Sequence, residues 1–167
     1  KLIFVGNDGT YGDELFSFDG TNFTRLTDIY TGSSGSNPEG FTIYNDKLYF
    51  GAYSSTYGRE MWVYDGTNVS LVKDLAAGST SGWGWGIMAV YNDKLYFNGY
   101  STSTGYELYS YDGTNMALVK DINSGTYTSG SNTYPNNGYP SNFTVFENKL
   151  FFQAEDKTIG GELFYYD

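Results

Sequence analysis

Cysteine and histidine are both absent from this chain of 167 residues. Without Cys no disulfide framework can form. Without His the chain lacks the commonest general base and the commonest transition-metal ligand, so Ser-His and Cys-His nucleophilic arrangements are excluded. We therefore predict no catalytic residues, no metal site and no cofactor.

Positive charge is also scarce, with 9 Lys and Arg against 19 Asp and Glu and a formal net charge of −10. This sign disfavours binding to the phosphates of nucleic acid or to an anionic membrane surface. No apolar run approaches the roughly 20 residues that a membrane-spanning helix needs. We expect neither a nucleic-acid partner nor membrane insertion.

Aromatic residues are abundant at 20% of the chain, including 18 Tyr and 12 Phe, and there are 22 Gly. Aromatic side chains suit pleated, half-buried surfaces, whereas Gly suits tight turns. This composition favours an all-β protein.

Two short segments recur together four times along the sequence. One is the Lys-Leu-aromatic-Phe pattern, found at residues 47–50, 94–97 and 149–152 and, with Ile in third place, at 1–4. The other begins with Glu and ends with Asp, and its Asp residues are separated by 46, 47 and 55 positions. Repeats of this period indicate a repeat architecture. We predict a single array over residues 1–167, with units at about 1–29, 41–75, 87–122 and 143–167.

Each repeat resolves into four short strands, which in the second unit are predicted at residues 41–44, 47–52, 60–64 and 69–74. Asn45-Asp46 and Asp65-Gly66 both have the chemistry of two-residue hairpin turns. Met61 and Trp62 point to opposite faces of their strand, so both faces of the sheet are apolar and need covering. These features predict a β-propeller, or a propeller segment, of four-stranded antiparallel blades with about 46–55 residues per repeat. A β-sandwich is the alternative.

The repeat resembles that of the bacterial ELWxxDGT-repeat proteins. The clearest copy is residues 107–114, Glu-Leu-Tyr-Ser-Tyr-Asp-Gly-Thr, followed by Leu-Val-Lys-Asp-Ile at 118–122. The match covers essentially the whole chain, but the third position is Trp only at Trp62. The resemblance implies a secreted or surface-exposed propeller array without a defined catalytic activity.

Acidic residues at fixed repeat positions are the candidates for chemistry. The Glu residues form the first set, which could be a ring of metal ligands or a structural feature: Glu14, Glu60, Glu107 and Glu162. Because each copy has the same residue, we predict the structural role. The Asp residues form the second set, which we expect to cap turns by binding backbone N–H groups: Asp19, Asp65, Asp112 and Asp167.

Two further groups of acids could bind calcium but are more typical of solvated acidic loops. Asp8, Asp13 and Glu14, like Glu155 and Asp156, do not follow the spacing of a calcium loop. A glycosidase would need two carboxylates about 5–10 Å apart. The predicted innermost strands carry no acid, and only Glu39 lies near one, so we predict that the chain is not an enzyme.

Three long loops, at residues 30–40, 76–86 and 123–142, are expected on one face. Two of them carry aromatic residues among Gly, Ser and Asn, which suits stacking and hydrogen bonding to sugars: Trp83, Trp85, Tyr127, Tyr134 and Tyr139. The same aromatics could instead cover the ends of the blades, and the sequence leaves both possibilities open. Three Asn-x-Ser/Thr sequons mark candidate glycosylation sites: Asn22, Asn68 and Asn142.

We therefore predict a non-enzymatic extracellular or cell-surface propeller that serves as a structural, adhesion or assembly module. The alternative is a lectin that binds glycans through the loop aromatics. The predicted array begins on a second strand and stops on a third. We accordingly expect self-association with neighbouring copies, or the remainder of a longer chain, to complete it.

Overall fold

The computed structural model describes residues 1–167 and contains strands, turns and bends but no helix. It accordingly has no helix that is long and apolar enough to cross a membrane. The chain divides into two compact units, residues 1–81 and 82–167, which are described separately.

The first unit contains two antiparallel sheets. The first sheet has three strands in sequential order: β1 (Leu2–Asn7), β2 (Asp13–Phe18) and β3 (Phe23–Arg25). The second has four strands, also in sequential order: β4 (Glu39–Tyr44), β5 (Lys47–Ser54), β6 (Gly58–Tyr64) and β7 (Val69–Lys73). The predicted strands of the second repeat are thus present, although β4 and β6 each start two residues early.

The second unit also has a four-stranded and a three-stranded sheet, in the opposite order along the chain, with a hairpin between them. Its four-stranded sheet contains β8 (Ala89–Tyr91), β9 (Lys94–Ser101), β10 (Gly105–Tyr111) and β11 (Met116–Lys120). The hairpin is made of β12 (Thr126–Ser129) and β13 (Asn132–Pro135), and a three-stranded sheet follows with β14 (Ser141–Phe146), β15 (Lys149–Asp156) and β16 (Gly160–Tyr166). The hairpin lies within residues 123–142, where a long loop is predicted from the sequence, and it corrects that prediction.

The Asn-Asp turn between the first two strands of a repeat is confirmed. Asn45 and Asp46 have φ of 49° and 59°, and Tyr44 pairs directly with Lys47. Both turn residues tolerate the left-handed region that a two-residue hairpin requires. Asn92-Asp93 and Glu147-Asn148 adopt the same conformation in later copies.

The Asp-Gly turn is longer than predicted. Four residues, 65–68, separate β6 from β7, and Gly66 has the left-handed φ of 96°. Asp65 closes this turn because its Oδ1 accepts the N–H groups of Thr67 and Asn68 at 2.8 and 2.7 Å. The prediction of an Asp cap is therefore confirmed, whereas that of a two-residue turn is wrong.

Each unit has its own apolar core, which lies between its two main sheets. In the first unit, Leu15 of β2 packs with Phe50 and Ala52 of β5. In the second, Leu108 of β10 packs with Leu150 and Phe152 of β15. Consecutive sheets within a unit therefore bury their facing apolar surfaces against each other.

Candidate functional site

The hairpin β12–β13 presents two of the predicted aromatic residues on one surface. Tyr127 and Tyr134 are cross-strand partners, and their rings stack with centroids 5.6 Å apart at an interplanar angle of 29°. Both side chains are exposed. Asn132 donates from Nδ2 to the Tyr134 hydroxyl at 3.2 Å, which places an amide beside the rings.

Tyr139 joins a second aromatic stack in the same unit. Its ring lies 5.5 Å from that of Tyr106 at 25°, and Tyr106 in turn lies 4.8 Å from Tyr100. Burial raises the pKa of Tyr139, with a smaller contribution from nearby Tyr127. We call the five residues Tyr100, Tyr106, Tyr127, Tyr134 and Tyr139 the tyrosine surface. Its aromatic planes and amide groups can stack on and hydrogen-bond to a sugar.

The two tryptophans have different environments. Trp83 is 2% exposed and forms an isolated bridge with Gly99, so its indole offers no open face to a ligand. Trp85, two residues later, is 64% exposed. The backbone between them is held against β9, where Gly84 N–H donates to the Asn98 carbonyl at 2.7 Å. The structure therefore leaves Trp85 as the accessible member of the pair.

The hairpin could have been predicted from a local signal. Residues 126–134 read Thr-Tyr-Thr-Ser-Gly-Ser-Asn-Thr-Tyr. Two short segments that contain Thr and Tyr flank a two-residue Gly-Ser turn, a pattern that is typical of a hairpin. Gly130 adopts the required left-handed conformation with φ of 62°. The abundance of Ser, Asn and Gly in the surrounding loop obscured that pattern.

The sequon asparagines are all exposed: Asn22, Asn68 and Asn142. Asn22 and Asn68 close equivalent Asp-capped turns, in which their N–H groups donate to Asp19 and Asp65. Asn142 lies in β14 with φ of 56°, and its side chain donates to Gln153 at 3.2 Å. Their exposure makes each of them sterically accessible to modification.

The first repeated Glu fixes the loop that connects its sheet to the next. Glu14 is fully buried, and its carboxylate accepts from the Thr27 hydroxyl at 2.7 Å and from the N–H and hydroxyl of Ser36 at 3.0 and 2.7 Å. The preceding carbonyl, of Asp13, accepts the N–H groups of Ser36 and Asn37. We call this arrangement the Glu clamp: the buried Glu carboxylate and the carbonyl of the preceding residue both accept hydrogen bonds from the connecting loop.

The third repeated Glu forms the same clamp in the second unit. Glu107 is fully buried and accepts the N–H groups of Ile122 and Gly138 at 2.7 and 2.8 Å. The carbonyl of Tyr106 accepts the N–H groups of Gly138 and Tyr139. Burial raises the pKa of Glu107 to about 7, although the two backbone hydrogen bonds act in the opposite direction. The clamp thus has a backbone-binding role in both units.

The last repeated Glu has a different environment. Glu162 is exposed, unlike Glu14, Glu60 and Glu107, and the following Leu163 is 71% exposed. The sequence pattern gave all four copies the same environment, so it did not reveal this difference.

Several acidic side chains outside the clamps cap turns. Asp8 accepts the N–H groups of Thr10 and Tyr11, and the hydrogen bond from Thr10 is the main cause of its lowered pKa. Asp156 binds Thr158 through the side-chain hydroxyl and the N–H, which also lowers its pKa. Nowhere do three Asp or Glu side chains come together as a group that could hold a metal ion.

Glu39 corrects the prediction that the innermost strands carry no acid. Strand β4, which was predicted to be innermost, begins at Glu39 and therefore contains an acid. Its carboxylate forms an ion pair with the buried guanidinium of Arg59, which also lies 4.9 Å from the ring centroid of Tyr53. This ion pair is a structural use of the Glu39 carboxylate.

Each unit also has a cleft beside its outer strand. The first, of about 570 Å³, lies between residues 26–29 and the next sheet at Trp62 and Val69. The second, of about 540 Å³, lies between residues 119–122 and the next sheet at Phe164. Twisted sheets that pack face to face diverge at their outer strands. This divergence explains why a cleft recurs at equivalent positions of the repeat.

Comparison with known proteins gives a match at the level of fold. No protein-family model and no curated protein matches the sequence. Among solved structures, the chain is similar to the β-propeller domain of the Trilobed protease from Pyrococcus furiosus, which has an open velcro topology. The chain has a propeller-like fold. The TM-score is 0.55 at 15% identity, and the alignment covers 99% of this chain and 48% of the chain of that structure, so this chain spans about half the length of that one.

Proposed function

We propose that this chain is a non-enzymatic propeller segment of four-stranded blades that serves as a structural, adhesion or assembly module outside the cell or on its surface. The resemblance to ELWxxDGT-repeat proteins supports the location and the blade type. Glu clamps at Glu14 and Glu107, and turns capped by Asp19, Asp65 and Asp112, give these acids structural roles. Nucleic acid and membrane lipid are not partners in this proposal.

The observation that carries the assembly role is the apolar surface of the two three-stranded sheets. Leu2 and Phe23 are exposed on the first, and Leu163 and Tyr165 on the last. Monomeric soluble proteins rarely expose large contiguous apolar surfaces. Neighbouring copies, or the remainder of a longer chain, would cover these sheets.

Size-exclusion chromatography with light scattering tests self-association of the 167-residue chain over a range of concentrations. We expect oligomers whose population rises with concentration and falls in the Leu163→Lys variant. Ile43→Lys is the matched control, because Ile43 is similarly exposed but lies in a four-stranded sheet. A monomer at every concentration would contradict the self-association.

The tyrosine surface and Trp85 support the second candidate, a lectin. Glycan-array binding by the wild type should then be lost in Tyr134→Ala or Trp85→Ala. It should persist in Tyr165→Ala, which removes an exposed tyrosine from β16. Absence of binding by the wild type, or equal binding by all variants, would argue against the lectin.

A further inference from the structure

We infer that Tyr127 and Tyr134 form a site of oxidative modification, at which a covalent bond between their rings links the two strands of the hairpin β12–β13. The product is a dityrosine, and the co-reactant is a one-electron oxidant such as the oxidised haem of a peroxidase. This modification is independent of the assembly and lectin functions.

The hairpin holds the two rings in the arrangement that coupling requires. Tyr127 and Tyr134 are direct cross-strand partners, so their side chains lie on the same face of the hairpin. Their ring centroids are 5.6 Å apart and the ring planes differ by 29°. Coupling therefore needs only a small approach of the two side chains and no change in the pairing of the strands.

Exposure distinguishes this pair from the other tyrosines of the second unit whose rings are in contact. Tyr127 is 49% exposed and Tyr134 is 41% exposed, so both rings are open to an oxidant and both phenol protons can pass to water. In each of the other pairs at least one ring is buried or half-buried, as with Tyr91, Tyr96 and Tyr106. The geometry and the accessibility that coupling needs thus coincide at the hairpin.

The coupling balances with two equivalents of the one-electron oxidant. Each phenol loses one electron to the oxidant and its hydroxyl proton to water, which leaves a radical with unpaired-electron density on the ring carbons beside the oxygen. A carbon–carbon bond forms between one such carbon of Tyr127 and one of Tyr134. The hydrogen atoms on those two carbons then move to the oxygens, which restores both phenols. Two tyrosines and one molecule of hydrogen peroxide thus give the linked pair and two molecules of water.

A covalent link would supply the stability that this hairpin lacks. The hairpin is a sheet of two strands with four residues each, nearly all exposed, and an isolated two-stranded hairpin is marginally stable in water. The chain contains no Cys, so no disulfide can hold the strands together. A bond between Tyr127 and Tyr134 would close the loop through Gly130 and exclude open conformations of the hairpin, as a disulfide does in other proteins.

Treatment of the intact 167-residue chain with a haem peroxidase and limiting hydrogen peroxide tests the modification. After separation under denaturing conditions, we expect dityrosine fluorescence in the monomer, a monomer mass lower by two hydrogen atoms, and tandem mass spectra that place the link between Tyr127 and Tyr134. The signal should be lost in Tyr127→Phe and in Tyr134→Phe, because phenylalanine keeps the ring but has no hydroxyl to oxidise. Tyr165→Phe is the matched control, since it removes an exposed tyrosine of β16, and it should leave the signal unchanged.

Hydrogen exchange of residues 126–135 then tests whether the link stabilises the hairpin. Their N–H groups should exchange more slowly in the linked chain than in the untreated chain, and unchanged exchange in the linked chain would refute the stabilising role. Absence of dityrosine in the monomer, a link that maps to other tyrosines, or equal yields in the wild type and the two hairpin variants would overturn the modification site. Circular dichroism verifies that each variant folds.

Discussion

Equivalent leucines in two repeats should differ sharply in their contribution to stability. Leu108 is 1% exposed and packs with Tyr96, Leu150 and Phe152, so Leu108→Ala leaves a cavity in the core of the second unit. Leu163 occupies the same repeat position but is 71% exposed. The two substitutions remove the same atoms from opposite environments.

Truncating a buried leucine to alanine costs about 2–5 kcal/mol, from lost transfer free energy and the cavity. A surface substitution usually costs less than about 0.5 kcal/mol. In a chain of this size, each kcal/mol lowers the melting temperature by about 2–4 °C. We therefore expect Leu108→Ala to lower it by at least about 4 °C and Leu163→Ala by less than about 2 °C.

Thermal and urea unfolding followed by circular dichroism measures both variants at a concentration where the chain is monomeric. Monomeric conditions matter because association would cover Leu163. Equal losses of stability in the two variants would refute the argument that the last repeat has an uncovered sheet.

The remaining predictions concern the Glu clamp. Glu107→Gln should lower the unfolding free energy at pH 5.5 by about 1–3 kcal/mol, because the amide NH₂ of Gln cannot accept one of the two buried N–H groups; an unchanged urea midpoint would contradict it. The pKa of Glu107 in the folded chain is raised from 4.5 to about 7. Between these pH values the folded wild type retains a proton that the unfolded chain has lost. The proton stabilises the folded state, and this contribution to the unfolding free energy is lost as the pH rises from about 4.5 through 7. Urea melts at pH 5.5 and 8 should show this loss in the wild type relative to Glu107→Gln, and parallel pH profiles would refute it. Gly105→Ala should destabilise the chain more than Gly160→Ala, since both strain a left-handed backbone but only the first meets the Asn136 carbonyl; equal melting temperatures would count against the clamp geometry.

Local chemistry explains which parts of the fold were predictable. Asn45-Asp46 specifies its turn because both residues tolerate left-handed φ, and Asp65 specifies its cap through its own carboxylate. The buried structural role of Glu14 and Glu107 followed from their recurrence. These features depend on short-range sequence, so they repeat wherever the sequence does.

Other features depend on what covers a residue, which a repeat pattern does not encode. Glu162 matches Glu107 in sequence, but its burial would require a connecting loop like the one that carries Gly138. Trp83 and Trp85 lie in nearly identical Gly-rich surroundings, yet only Trp83 is buried beside β9. Neither difference could be predicted without the tertiary structure.

Residue-resolved hydrogen exchange on the monomeric chain tests the central claim most directly, namely that the same clamp binds a connecting loop after Glu14 and Glu107 but not after Glu162. The N–H groups of Leu15, Ser36 and Gly138 are hydrogen-bonded in buried surroundings, so we expect strong protection. The N–H of Leu163, equivalent to that of Leu15, should exchange rapidly. Protection of Leu163 in the free monomer equal to that of Leu15 would contradict the account.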